Sequence, residues 1–334
     1  MRTLSVLVIA SALALFGGCG KKAAGSGKLK VAVSIFPIWD ITRRIAGDRL
    51  EVLLVLPAGK SEHGYDPTPK EIARLDGAKL ALAVGLDLDT WVENIMRTAG
   101  GGAKVVRVGD KVKTIPIDVE PIEDGEHHAE GEHHDDHDDD HKAGSGSAAK
   151  HDAKDEHHDE HEHKLGAPDP HVWMDPERMV TIVDVIAAEL IAIDPAGKDM
   201  FTKNADALKA SLKTTDAAIA ARAKTWSKHT IVTFHGSMSY FAKRYGIVIA
   251  AVVEPIAGKE PTATYLAEVI EAIKRNKAAA LFTEPQLDKG PGQTIAREAG
   301  IQLGELDPVG GVPGRDSYEA LLTWNTDQLE KVLK

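Results

Sequence analysis

The chain has 334 residues, of which 43% are hydrophobic, so it is long enough to bury the cores of two domains of ordinary size. Its net charge of −11 is unevenly distributed. Residues 120–163 hold 17 Asp and Glu against three Lys, a local charge of −14, whereas the other residues hold 37 basic and 34 acidic side chains and carry +3. This near-neutral remainder gives no reason to expect a nucleic-acid surface. The single cysteine, Cys19, excludes an intramolecular disulfide.

The N-terminus predicts export. Residues 1–18 have a basic start, an apolar run from Leu4 to Phe16 that is too short to span a bilayer, and two small residues before Cys19. The alternative, a short buried helix, fits the basic start less well. The sequence Leu15–Cys19 resembles the lipobox of bacterial lipoproteins, which implies cleavage before Cys19 and acylation of its sulfur. We therefore expect a periplasmic or cell-surface protein, held at the membrane by a lipid on Cys19 and a flexible tether at 19–28.

Short apolar runs alternate with helical spacing along the first half of the chain. The predicted strands are Lys30–Phe36, Val52–Leu56, Leu80–Val84 and Val105–Val108, with helices at Trp39–Ala46, Pro69–Asp76 and Trp91–Ala99. Such alternation predicts a parallel sheet that is covered by helices on both faces.

Two Asp-Pro pairs predict helix starts, because Asp caps a helix N-terminus and Pro suits the first helical position. Asp175-Pro176 starts a helix that runs to Ile193, and Asp194-Pro195 starts a longer helix that runs to Trp226. The longer helix carries a stripe of apolar residues at three- and four-residue spacing, which indicates that one face is buried.

The alternation of strands and helices then resumes. The strands are Thr230–Phe234, Val248–Val253, Ala279–Thr283 and Gln302–Leu306, with helices at Pro261–Arg275, Pro291–Ala299 and Ser317–Leu333. The predicted fold is therefore α/β, with two similar lobes, each a mostly parallel sheet flanked by helices. The lobes are assigned to residues 29–196 and 227–334, and one long helix at 197–226 links them.

The segment 125–163 interrupts the first lobe and has a composition that cannot form a core. It is low-complexity and rich in His, Asp and Glu, so we expect it to be disordered. It holds 11 of the 15 histidines of the chain: His127, His128, His133, His134, His137, His141, His151, His157, His158, His161 and His163. One hypothesis is that these imidazoles collect zinc weakly and raise its local concentration; the alternative is a dispensable insertion.

Three of the four remaining histidines lie where ligand sites form. His63 follows a predicted strand, His171 precedes a helix start, and His235 ends a strand, whereas His229 is assigned to the surface. Open parallel sheets bind ligands at the carboxyl ends of their strands. A single strand-end histidine is more often structural than a ligand. The coincidence of three from both halves predicts a metal site between the lobes.

Carboxylates accompany the three histidines. Asp307 ends the last predicted strand, and with three imidazoles it completes a four-coordinate set that suits zinc, although it could instead shape a turn. Glu62 is an extra or substitute ligand, and an exposed loop carboxylate is the alternative. Glu284, at another strand end, is placed to orient a histidine. Whether Asp307, Glu62 or water completes the site stays open.

The chain also resembles the cluster A-I metal-binding proteins of ABC importers, close to the zinc-specific (ZnuA-type) branch. The resemblance extends from about Lys28 to the end and is carried by six motifs: Gly64–Pro69 after His63, Gly85–Trp91, Asp169–Pro176, His235–Ser237 with Tyr240–Ala242, Thr283–Gln286, and Leu306–Pro308. It implies that His63, His171 and His235 bind the metal and that Asp307 faces the fourth position. It further implies an extracytoplasmic zinc-binding protein that is not an enzyme and acts as a monomer with a permease and its ATPase. Manganese-type relatives place a glutamate where this chain has His235, which favours zinc.

Two other classes of function compete with this one. A zinc hydrolase could use three histidines and an open position to activate water, but the sequence has no His-Glu-x-x-His and no Gly-x-Ser-x-Gly motif. A zinc buffer or surface adhesin that works without a transporter would share the same site. The chain has no phosphate-binding Gly-x-x-x-x-Gly-Lys-Ser/Thr loop, so an importer would need a separate ATPase.

Overall fold

The computed structural model describes residues 27–100, 102–117, 166–256 and 259–334. Four predictions lie wholly or mostly outside these residues, namely the signal peptide at 1–18, the acylation of Cys19, the tether at 19–28 and the histidine-rich segment 125–163. Within the described residues, every helix is too short or too polar to cross a membrane.

The described residues form two four-stranded sheets in which all strand pairs are parallel. The strands of the first sheet are β1 (Lys30–Val33), β2 (Glu51–Leu54), β3 (Ala78–Ala83) and β4 (Lys104–Arg107). Those of the second sheet are β5 (Thr230–Thr233), β6 (Val248–Val252), β7 (Ala280–Thr283) and β8 (Gln302–Glu305). The strand orders β2-β1-β3-β4 and β6-β5-β7-β8 are the same topology repeated. The predicted α/β fold with two similar lobes is thus confirmed.

Helices cover both sheets. The helices of the first lobe are α1 (Phe36–Ala46), α2 (Pro69–Arg74), α3 (Trp91–Thr98) and α4 (Pro176–Ile193). The long helix is α5 (Lys198–Ala223), and it is followed by α6 (Ser239–Tyr245), α7 (Ala263–Asn276), α8 (Gly290–Ala299) and α9 (Tyr318–Leu333).

The first strand and helix divide differently from the prediction. The apolar run Lys30–Phe36 was predicted as strand throughout, yet β1 ends at Val33 and α1 begins at Phe36. A continuous apolar run does not distinguish a buried strand from a buried helix. Pro37 lies in the first turn of α1, where its missing N–H costs no hydrogen bond.

The long helix is shorter than the predicted 197–226. Asp194-Pro195 opens only a single 3₁₀ turn, and the Asp194 carboxylate binds the Arg49 guanidinium at 2.6 and 2.8 Å. The α-helix starts after Gly197, where a Cβ atom would lie 2.5 Å from the Phe201 ring. Asp175, by contrast, caps α4 as predicted, with its carboxylate accepting from the Glu177 N–H.

One continuous apolar core extends through both lobes. It includes residues of both sheets together with the inner faces of α4 and α5, for example Val31, Trp173, Phe201, Phe282 and Tyr318. Two smaller clusters lie under α7 and α8 in the second lobe and under α2 and α3 in the first. The shared core fixes the two lobes against each other across α5.

The repeated topology determines where side chains converge. In each sheet the chain reverses its winding direction beside the first strand, which creates a crevice at the carboxyl ends of β1 and β3 and of β5 and β7. The segments that follow β2, β5, β7 and β8 carry His63, His235, Glu284 and Asp307. The predicted strand-end residues therefore lie around the facing crevices.

Candidate metal centre

Three histidines from separate segments lie together between the lobes. His63 comes from the loop after β2, His171 from the segment before α4, and His235 from the end of β5. One ring nitrogen of each lies within 4.8 Å of the others, and among the described residues they form the group that could hold a metal ion. His171 and His235 are 3% exposed.

The spacing of two of these nitrogens fits a tetrahedral ion. The Nε2 atoms of His63 and His171 are 3.3 Å apart. Two nitrogens that each bind tetrahedral zinc at about 2.0–2.1 Å are separated by about 3.3 Å, so this pair needs no movement to bind one ion.

Hydrogen bonds to Nδ1 fix two of the rings. His171 Nδ1 lies 2.8 Å from Asp169 Oδ1, and His235 Nδ1 lies 3.0 Å from the carbonyl oxygen of Glu254. A partner at Nδ1 that accepts its proton leaves Nε2 as the metal-binding atom and makes it a stronger donor.

The segment that carries His171 is built around Asp169. The Asp169 carboxylate also accepts the backbone N–H of His171 at 2.9 Å, and its carbonyl accepts the Tyr240 hydroxyl at 2.7 Å. Burial alone would raise the pKa of Asp169, but the charge of His171 and its hydrogen bonds lower it overall. Asp169 is therefore a charged acceptor that is held rigidly beside the ring.

Glu62 is buried next to the first histidine. It is 2% exposed, and the Trp91 indole donates to its carbonyl oxygen at 3.0 Å, which anchors the loop. Its Oε1 has no hydrogen-bond partner among the described residues. Burial raises the pKa of Glu62, an effect that the charge of His171 opposes. A buried carboxylate of this kind is costly unless a cation or proton accompanies it.

The two second-lobe carboxylates already have donors. Glu284 accepts the Ser237 hydroxyl at 2.5 Å, and burial together with the charge of Glu62 raises its pKa well above the usual value. Asp307 is 1% exposed and pairs with the Arg315 guanidinium at 3.0 Å. Neither these two carboxylates nor Glu62 joins the group of ligand atoms within 4.8 Å, so which carboxylate completes the site stays a prediction.

Some of the residues around the histidines were not anticipated. Sequence reasoning quoted Asp169 only as part of a motif and missed Glu254 and Arg315. The spacing Asp169-Pro170-His171 is a signal that could have suggested an aspartate that caps its own histidine. His229 is exposed, as expected, and lies outside the site.

Comparison with known proteins identifies the family. The profile described as "ZnuA: Zinc-uptake complex component A periplasmic" matches residues 31–332. The chain belongs to this family. Its members are metal-binding substrate-binding proteins of ABC transporters and not enzymes, so the zinc-hydrolase alternative is wrong.

Curated relatives carry several metal names. The zinc-binding lipoprotein AdcA of Streptococcus pneumoniae (strain ATCC BAA-255 / R6) is 30% identical over 95% of this chain, which spans only 57% of the length of AdcA. The metal ABC transporter substrate-binding lipoprotein FimA of Streptococcus parasanguinis is 30% identical over 98% of both chains. The iron ABC transporter substrate-binding lipoprotein MtsA of Streptococcus pyogenes serotype M1 is 30% identical over 94% of this chain and 92% of its own.

Solved structures share the fold. A crystal structure of ZnuA superposes with a TM-score of 0.72 at 22% identity, over 92% of this chain and 100% of that one. FpvC of Pseudomonas aeruginosa, in complex with Mn²⁺, gives 0.72 at 23% identity over 92% and 98%. Because related folds carry different metals, the choice of metal must be argued from the side chains of this chain.

Proposed function

We propose that this protein captures Zn²⁺ outside the cytoplasm and delivers it to the permease of an ABC-type zinc importer, whose ATPase is a separate subunit. The observation that carries the proposal is the cluster of three imidazoles, two of them fixed through Nδ1 and two with Nε2 atoms 3.3 Å apart. Imidazole-rich four-coordinate sites suit zinc, whereas manganese prefers more oxygen ligands.

We infer that Glu62 is the fourth ligand and that Asp307 is not. Glu62 adjoins His63, is buried, and has an Oε1 without a hydrogen-bond partner among the described residues. In Asp307, by contrast, Oδ1 accepts the Gln286 amide and Oδ2 forms an ion pair with Arg315. Glu62→Gln should then weaken zinc binding at least tenfold, and Asp307→Asn should weaken it less. Competition with a chromogenic chelator measures both, and a larger loss for Asp307→Asn would contradict the assignment.

The cellular part of the proposal comes from the N-terminus and the relatives. Curated relatives named as lipoproteins of metal ABC transporters support export and a lipid anchor at Cys19, with the protein acting as a monomer at the membrane surface. Metabolic labelling with a fatty acid tests the anchor, because Cys19→Ser should abolish incorporation.

The decisive experiment is metal competition on the soluble form that lacks residues 1–19. We expect one tightly bound zinc that manganese does not displace and that is lost in His171→Ala, with the exposed His229→Ala as the matched control. A protein that binds manganese or iron in preference to zinc would refute the metal assignment. Unchanged zinc uptake by cells that lack the gene, under zinc scarcity, would favour the transporter-independent buffer.

The histidine-rich segment has its own test. We propose that it collects zinc for the buried site, since its many imidazoles raise the local concentration of the ion. Deletion of 125–163 should leave the tight site intact and reduce zinc uptake only when zinc is scarce. Equal uptake at every zinc concentration would show that the segment is dispensable.

A further inference from the structure

Asp307, which was predicted to face the fourth metal position, is held by several donors. Its Oδ1 accepts three N–H groups, from the Gln286 side chain at 2.8 Å, from Val309 at 3.0 Å and from Gly310 at 2.9 Å. Its Oδ2 lies 3.0 Å from the guanidinium of Arg315. Oδ1 is therefore saturated, and Oδ2, which is ion-paired with Arg315, is the oxygen that could still bind a metal.

Arg315 is fixed in place by its own surroundings. Its guanidinium stacks 4.2 Å from the centre of the Trp324 ring, and it lies 3.7 Å from Glu305, the last residue of β8. Glu305 in turn pairs with Lys289 at the surface. A planar guanidinium that stacks and pairs at once loses little freedom on binding a carboxylate.

The backbone turn between the two residues holds them at this distance. The Gly311 N–H donates to the Arg315 carbonyl at 2.9 Å, and the Arg315 N–H donates to the Val312 carbonyl at 2.9 Å. Gly310 has φ +73°, and a Cβ there would lie 3.1 Å from the Arg315 carbonyl oxygen. The chain therefore folds back tightly just after Asp307 and returns Arg315 to its carboxylate.

We propose that Arg315 is a positioning residue that holds the Asp307 carboxylate away from the ion and so sets the metal preference of the site. The inference rests on the proposed function, because it assumes that the three histidines bind the transported ion. With Asp307 engaged, the ion meets three nitrogens and at most the Glu62 carboxylate. Without Arg315, the Oδ2 atom of Asp307 becomes available as a further oxygen ligand.

The chemical consequence is selectivity against manganese. An added carboxylate favours an ion that prefers oxygen ligands and a higher coordination number, so the affinity for Mn²⁺ should rise more than the affinity for Zn²⁺. Arg315 also neutralises the charge of Asp307, which would otherwise attract every divalent cation equally. Only the release of a ligand changes the ratio of the two affinities.

The test uses the full chain, purified in detergent, and compares four variants with the unchanged protein. They are Arg315→Met, Arg315→Gln, the double variant Arg315→Met with Asp307→Asn, and the control Lys289→Met. Lys289→Met removes a cation from the same ion-pair network, but Lys289 contacts Glu305 and is 42% exposed. Zn²⁺ and Mn²⁺ affinities are measured by competition, and the visible spectrum of bound Co²⁺ reports the coordination number.

We expect Arg315→Met to tighten Mn²⁺ binding about 10- to 100-fold, the range that supporting contacts around metal sites carry, with a smaller gain for Zn²⁺. The double variant should lose this gain, and the Co²⁺ spectrum should change in Arg315→Met and not in the double variant. Lys289→Met should change either affinity by less than roughly threefold, since exposed pairs contribute little. Arg315→Gln, which keeps a polar side chain, should shift the Zn²⁺/Mn²⁺ ratio in the same direction and carries the test if the Met variant does not fold.

The inference is overturned if loss of Arg315 leaves the Zn²⁺/Mn²⁺ ratio unchanged, or if it weakens metal binding, which would make Arg315 a support for Asp307 as a ligand. A gain that persists in the double variant also overturns it, because the effect would then not pass through Asp307. If the unchanged protein holds no tight zinc, the proposed function fails as well, and that outcome is visible before any variant is compared.

Discussion

The two lobes repeat one sheet topology but bring different chemistry to the centre. The first lobe provides two imidazoles, His63 and His171, and the charged acceptor Asp169 beneath one of them. The second lobe provides one imidazole, His235, and two carboxylates, Glu284 with a hydroxyl donor and Asp307 with a guanidinium ion pair. The scaffold determines where side chains converge, and the loops after each strand determine what they can bind.

This difference has a consequence for how the site recognises an ion. The nitrogen ligands of the first lobe are close enough to bind without rearrangement, at an Nε2–Nε2 distance of 3.3 Å. The carboxylates of the second lobe are bound to other groups, Glu284 to the Ser237 hydroxyl and Asp307 to the Arg315 guanidinium as an ion pair. The asymmetry favours zinc over ions that require more oxygen.

The largest expected effect comes from removing the single imidazole of the second lobe. If the ion bridges the lobes, His235→Ala should weaken zinc binding more than 100-fold, as much as His63→Ala does, because each loses a direct ligand. Isothermal titration against a competing chelator measures both. A His235→Ala variant that still binds zinc within tenfold would show that the first lobe binds the ion alone.

The next largest effect concerns the support beneath the rings. Asp169→Asn should weaken zinc binding about 10- to 100-fold, because the amide is a poorer acceptor for His171 Nδ1 and the ring loses its fixed orientation. In the second lobe the acceptor is the backbone carbonyl of Glu254, so Glu254→Gln keeps it and should cost less. Equal losses in the two variants would mean that charge, and not ring orientation, controls the affinity.

The sequence predicted the repeated strands well because short apolar runs between helical segments are a local signal. It selected His63 and His235 because strand ends in parallel sheets converge, and His171 because it precedes a helix start, and the structure brings the three together. Their role as metal ligands stays a prediction. It did not predict that Asp307 pairs with Arg315, since this contact depends on a backbone turn and on a stacking partner, Trp324, seventeen residues further along the chain. The sequence-based prediction also extended β1 to Phe36. Every residue from Val31 to Phe36 is buried, so the run shows neither the two-residue period of a strand nor the 3.6-residue period of a helix.

A smaller effect, on stability and not on zinc binding, is expected when ion pairs that lie away from the histidines and join the lobes are removed. Arg244 on α6 binds Asp216 on α5 and Glu177 on α4. Because Arg244 is only 21% exposed, Arg244→Met should lower the free energy of unfolding by roughly 1 to 3 kcal/mol, with zinc stoichiometry unchanged. Arg222→Met, in a more exposed pair, is the control and should cost less in urea unfolding. A reversed order would show that the Arg244 pairs contribute little to joining the lobes.

The smallest expected effect is the pH dependence of the stability that Arg244 contributes. Hydrogen bonds from Arg244 lower the pKa of Asp216 despite its partial burial, which by itself raises it. A carboxyl group whose pKa is lower in the folded state stabilises the fold above its unfolded pKa of about 4, and this stabilisation is lost as the pH falls through the folded value. The difference in unfolding free energy between the unchanged protein and Arg244→Met should therefore be constant near neutral pH and narrow below about pH 4. Urea unfolding of the metal-free proteins at constant ionic strength measures this difference without interference from zinc release. A difference that stays constant down to pH 3 would mean that Arg244 acts through packing and not through the Asp216 charge.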